Sequence, residues 1–134
     1  MATICYINEI SCAHTFRRME VYIRQAGVGG VAGQSLREVY GQEGAGSRSV
    51  VKLVNRVPMW NQKMECFTLN FHGKSRCGSI KNTILVEEGS PKEELMLFCK
   101  TEEHQFHLEM KYPLTPFVAL GIVLTGFDFK LCCE

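Results

Sequence analysis

Seven cysteines and four histidines are the residues of this 134-residue chain best suited to bind a metal or act as nucleophile and base. Spacing decides whether they do. His104 and His107 form H-x-x-H, which brings two ligands together on a helix but sends them to opposite faces of a strand. The stretch 105–112 alternates like a strand. Cys12-x-His14 would share a strand face, but no second ligand pair accompanies it. A thiol nucleophile needs a base beside it and a sharp turn to present it, and no elbow motif of that kind is present. The acidic pairs Glu87–Glu88, Glu93–Glu94 and Glu102–Glu103 fall in polar stretches that read as loops, where they solubilise the chain rather than work as general acid and base.

Two glycine patterns also fail. "GVGGVA", residues 27–32, has the spacing of a dinucleotide loop, G-x-G-x-x-A. A strand precedes it, but the helix that should follow is cut by Gly41, Gly44 and Gly46, and Lys52 stands near where an acid is required. As a P-loop, Gly33 would place the first glycine on Val28 and would put Gln34 where Lys is needed. The residues point to a protein that is not an enzyme, with no catalytic, cofactor-binding or metal residues.

Charge suggests binding instead. The net charge of +1 excludes coating nucleic acid by bulk charge. The charge is unevenly placed: residues 1–86 carry 11 Lys/Arg against 5 Glu, and residues 87–134 carry 4 Lys against 9 Asp/Glu. A multiply phosphorylated lipid headgroup needs two or three Lys/Arg converging from neighbouring strands. Lys74 and Arg76, one residue apart, share a face if extended, with Lys63 or Lys81 as further candidates; the alternative is four ordinary solvent-facing cations. The odd cysteine count, without metal-knuckle spacing, fits a reducing, cytoplasmic setting. The start lacks the basic flank and apolar core of a secretory signal. The longest apolar run, residues 116–127, is shorter than the roughly 20 residues a spanning helix needs.

The elements that must position these residues are mainly strands. Residues 2–8, 19–24, 50–54, 64–71, 79–86, 95–99 and 105–112 read as strands, with a turn around residues 11–15 and a polar loop over 87–94. Residues 26–49 hold seven of the twelve glycines and read as a flexible loop, relieved by a short helical turn at "SLREVY" with Ser35 as its cap. Pro58 to Trp60 reads as a corner. After Pro113, Thr115 can cap a helix and Pro116 suits its first turn. Phe117, Leu120, Leu124 and Phe127 follow at helical spacing, with Val118, Ile122 and Val123 on other sides. Such a helix is apolar nearly all round and demands burial on every side. The expected fold is therefore mostly β: antiparallel strands forming a barrel, or part of one, around a hydrophobic C-terminal helix.

The chain resembles the tubby-like family. The resemblance rests on "ATICYINEI", "RRMEVYI", "LVNRVPMWNQKMECFTLNFHGK", "SIKN", "FHLEMKYPL" and the closing "FDFKLCCE". It is nearly gap-free from residue 50 on, moderate before residue 25, and absent across the glycine-rich loop. It implies a closed antiparallel barrel threaded by a helical plug over 115–131, with Trp60, Phe67, Leu69 and Phe71 as packing residues and Pro58 setting a corner. It implies a non-enzymatic adaptor that binds plasma-membrane phosphoinositides and helps deliver receptors to cilia, peripheral to the membrane. It also implies a partial domain over residues 1–134: the family domain is about twice as long, and its lipid-clamping basic residues lie upstream of Met1. Lipid binding is then expected to be weakened. Cys99 replaces a family glycine, and Ser75 and Thr83 replace apolar residues. Half a barrel would leave strand edges open and one side of the plug wet, inviting protein partners or a second copy. The alternative reading is a structural or regulatory fragment that completes its sheet with another chain.

Overall fold

In a computed structural model, residues 2–11, 14–25, 34–43 and 49–127 are described. Strand β1 (Ala2–Ser11) pairs antiparallel with β2 (His14–Arg24) in one unbroken register from Ala2↔Ile23 to Ser11↔His14. Helix α1 (Leu36–Gln42) follows. Ser35 accepts from the Glu38 N–H and Glu38 accepts from the Ser35 N–H, a reciprocal cap that nucleates a helix inside an otherwise glycine-rich stretch. Residues 26–33 and 44–48, the rest of that stretch with "GVGGVA", lie outside the described residues.

Strand β3 (Val50–Asn55) leads into a small hairpin, β4 (Met59–Asn61) and β5 (Cys66–Thr68). Strands β6 (Thr83–Glu87), β7 (Ser90–Glu102) and β8 (Gln105–Met110) complete a six-stranded antiparallel sheet in the order β1-β2-β3-β6-β7-β8, curled into a half-barrel. Helix α2 (Pro116–Thr125) follows β8.

Two readings of the sequence are corrected. The polar loop expected at 87–94 is instead a tight turn, with Gly89 at φ +93°, running straight into β7. Ser90 pairs with Glu87 and Glu94 with Val86, so Pro91–Glu93 bulge from the ladder. Proline has no N–H to give the ladder, and a bulge accommodates it with the charged residues beside it. The strand expected over 64–71 is paired only at Cys66–Thr68. Leu69 and Phe71 leave the hairpin and pack on Ile84, Val86, Leu97 and Cys99 on the outer face of the sheet.

The concave face buries Val21, Ile23, Leu53, Leu85, Met96 and Phe98 against Leu114, Ala119 and Ile122. Phe127 reaches the same core, its ring edge-on to Phe106 at 5.3 Å and to Phe98 at 6.2 Å. Thr115 caps α2 by accepting from the Val118 N–H, and Pro116 occupies its first turn. The helix is not enclosed on every side. Phe117, Leu120 and Leu124 stay 86%, 51% and 58% exposed, because six strands cover one flank of an all-apolar helix and leave the other open. The remainder of the expected plug, residues 128–131, lies outside the described residues.

Candidate functional site

Lys74 and Arg76 sit on the segment between β5 and β6 that crosses the outer side of β7. Asn82 fastens it. Its side-chain N–H groups donate to Ser75 Oγ at 3.2 Å and to the Cys77 carbonyl at 2.9 Å, while its Oδ1 accepts from the Lys100 N–H at 2.8 Å. The backbone N–H groups of Arg76 and Cys77 both reach the Lys100 carbonyl, at 3.3 and 3.4 Å. Arg76 is thus an exposed guanidinium on a fixed backbone. Nothing in the sequence assigned Asn82 this role; its only signal was a place in "SIKN".

Lys74 differs. Its ammonium donates to both carboxylate oxygens of Glu109 on β8, at 2.6 and 2.7 Å. That contact, and then the 2.8 Å contact of Glu109 with His107 Nε2, hold the Glu109 carboxyl below the usual carboxylate range. Lys81 lies over the Phe127 ring, 4.0 Å from its centroid. Lys63 is exposed at the tip of the β4–β5 hairpin. Lys74, Arg76 and Lys81 thus share the β5–β6 segment, and Lys63 stands apart from them on the hairpin.

A second charged group lies on the outer face of β2 and β3, beside α1. Glu20 accepts from the Tyr22 hydroxyl at 2.7 Å and meets Lys52 Nζ at 3.0 Å; Lys52 also reaches Glu88 at 2.9 Å, and Tyr40 donates to Glu88 at 2.9 Å. Burial alone would raise the Glu20 pKa, but the bonds from Tyr22 and Lys52 outweigh it and lower the value. Burial likewise works against the Lys52 charge, and its bonds to Glu88 and Glu20 win, raising its pKa. These shifts fix charges in place, the opposite of what proton transfer needs.

The remaining chemical candidates are dispersed. His104 is almost fully exposed in the β7–β8 turn at φ +64°, and His107 sits on β8. Among the described residues no three His, Cys, Asp or Glu gather as a metal site. Cys5, Cys66, Cys77 and Cys99 are free thiols, and burial pushes the Cys99 thiol up, making it a poorer nucleophile. Cys12 lies outside the described residues.

The hairpin carries a surface that sequence reasoning missed. Trp60 and Phe67 face each other across the strands, edge to face at 5.2 Å, yet stay about half exposed. Val57, Met59 and Met64 are exposed beside them. Trp60 and Phe67, expected to serve packing, do contact each other but remain half exposed, whereas Leu69 and Phe71 join a core. Their alternation signals a sheet face but cannot say that the sheet has two strands.

The sequence profile of the Tub family matches residues 1–129, nearly the whole chain and every strand described above. The chain belongs to the Tub family. It is 41% identical over 86 residues to protein king tubby of Anopheles gambiae, covering 64% of this chain and 19% of that protein. King tubby 2 of Aedes aegypti is 41% identical over the same length, with 21% of it covered, and king tubby of Drosophila sechellia is 38% identical, with 19% covered. The aligned region spans about a fifth of these curated relatives.

Proposed function

We propose that this Tub-family chain is a non-enzymatic adaptor module that binds phosphoinositide headgroups peripherally at the plasma membrane, in the service of receptor delivery to cilia, and does so weakly. The supporting observation is the exposed Arg76 guanidinium, rigidly carried beside Lys74 on the segment that Asn82 ties to β7. Two cations one residue apart on a segment tied to β7 suit a multiply phosphorylated headgroup. The affinity is low because Glu109 already neutralises Lys74. Flotation with phosphatidylcholine vesicles, with and without bisphosphorylated phosphoinositide, tests this. Phosphoinositide-dependent flotation should be lost in Lys74→Ala/Arg76→Ala. Glu109→Gln should strengthen it about fivefold, since a cation near an anionic surface is worth about 1 kcal/mol. Binding indifferent to all three substitutions would remove this site.

A second reading is favoured by the exposed Phe117, Leu120 and Leu124 of α2 and by the outer edges of β1 and β8, which have no neighbouring strand among the described residues. In it, the module completes its half-barrel with another polypeptide.

A further inference from the structure

The β4–β5 hairpin and the segment leading into it collect half of the exposed large apolar side chains: Val57, Met59, Trp60, Met64 and Phe67, out of ten among the described residues. The hairpin strands pack chiefly on each other. A two-stranded ribbon is marginal alone in water, and apolar clustering of this kind marks a contact surface.

Its geometry narrows the kind of contact. Trp60 and Phe67 share one face, and Met59, next in sequence to Trp60, points from the other. Met64 is at the turn. A protein groove would have to clasp both faces and the tip together, whereas a fluid apolar boundary surrounds such a ribbon without design. Two backbone N–H groups of the tip are satisfied internally: Asn61 Oδ1 accepts from Lys63 and Met64, at 3.0 and 3.2 Å. The tip can leave bulk water without orphaning those donors. Charge agrees. Residues 55–81 carry five Lys/Arg against the single acid Glu65; Arg56 and Lys74 are paired with Glu94 and Glu109, and Lys63 and Arg76 are exposed to meet an anionic surface. Trp and Met beside a Lys that can extend its ammonium to the headgroups is the composition of a membrane-interface element.

We infer that the β4–β5 hairpin is a membrane-interface anchor that inserts Met59, Trp60, Met64 and Phe67 into the headgroup boundary of an anionic bilayer. It supplies apolar hold while Arg76 meets a phosphate. The inference rests on the membrane part of the function proposed above, but it names different residues and a different force.

Trp60 is the only tryptophan in the chain, so its fluorescence reports on the hairpin without modification. The full chain is mixed with vesicles of phosphatidylcholine, of phosphatidylcholine with phosphatidylserine, and of the latter with bisphosphorylated phosphoinositide. Flotation and Trp60 emission are followed together. The expected result is a shift to shorter wavelength on binding, quenching by brominated acyl chains, and a roughly tenfold or greater loss of partitioning in Met59→Glu/Met64→Glu. Both methionines are exposed, so the variant should keep its fold, checked by circular dichroism. Flotation with unchanged Trp60 emission overturns insertion and leaves the headgroup reading standing. A Trp60 shift on phosphatidylserine vesicles with no gain from phosphoinositide upholds insertion and removes the headgroup reading. Absence of flotation on every vesicle overturns both. An emission shift that follows protein concentration without lipid, with a dimeric mass by light scattering, assigns the hairpin to a second copy and overturns the lipid inference.

Discussion

Glu20 is the charged side chain that folding takes furthest from water among the described residues. An ionised carboxylate tolerates that only with partners, which here are the Tyr22 hydroxyl, Lys52 and, at 3.9 Å, Arg18. Glu88 is lowered chiefly by its bond from Lys52, and Glu94 is lowered, against the pull of burial, by His72 and Arg56. A carboxyl whose pKa falls on folding binds protons less well folded than unfolded. Its contribution to stability is therefore complete above the unfolded value of about 4.3 and is lost as pH drops through the lowered folded value. Lys52 has the opposite sign: its pKa rises on folding, so its contribution is complete below about 10.4 and fades as pH climbs through the raised value. The urea midpoint should hold steady through neutral pH and fall on acidification below about pH 4. Glu20→Gln should cost about 1.5–3 kcal/mol at neutral pH, the worth of bonds to a charged group, and should flatten the acid limb. An acid limb as steep in the variant as in the parent protein would show that Glu20 is not its source.

Among the elements, α2 is the most informative, because its existence was legible and its orientation was not. Thr115, Pro116 and the apolar spacing mark the helix in the sequence, and Ser35 marks a short helical turn where α1 forms. With apolar residues on every side, however, no periodicity selects the buried face. The stripe Phe117–Leu120–Leu124 looks like the core side, yet Ala119 and Ile122 fill that role. The distinction is measurable. Ile122→Ala should destabilise by about 2–4 kcal/mol, as cavity-forming core substitutions do, whereas Leu124→Ala should fall within about 0.5 kcal/mol of neutral. Equal large losses in urea denaturation would mean that both faces are buried in solution. Strands were legible to the same limited degree. The alternation of Phe106, Leu108 and Met110 located β8, but "SPKEE" hid the start of β7, since charge and proline describe a loop unless a bulge admits them. At the candidate site, the spacing of Lys74 and Arg76 was visible. Their difference was not, because Glu109 is 35 residues away in sequence and comes to Lys74 only through the β7–β8 pairing.

For the molecule as a whole, the question is what an open half-barrel does with the outer flank of its helix. Burying a Leu or Phe completely is worth about 1.5–3 kcal/mol. Scaled by their exposures of 86%, 51% and 58%, Phe117, Leu120 and Leu124 together offer roughly 3–6 kcal/mol. Association forfeits about 4–15 kcal/mol of rigid-body freedom. The stripe alone therefore comes near balance at best, and firm docking needs the β1 and β8 edges to contribute strand pairing as well. The chain by itself should be monomeric near 1 μM, where stable pairing requires about 8 kcal/mol net, and should gain mass reversibly as concentration rises by about two orders of magnitude. Leu120→Glu/Leu124→Glu places charges on the exposed stripe without touching Ala119 or Ile122, so it should keep the fold and hold a single-chain mass throughout. Light scattering coupled to size exclusion reads both outcomes. A parent chain that stays monomeric over the whole range, and a charged variant indistinguishable from it, would show that the helix flank has no measurable affinity for a second copy and would remove self-pairing as the way the half-barrel is completed.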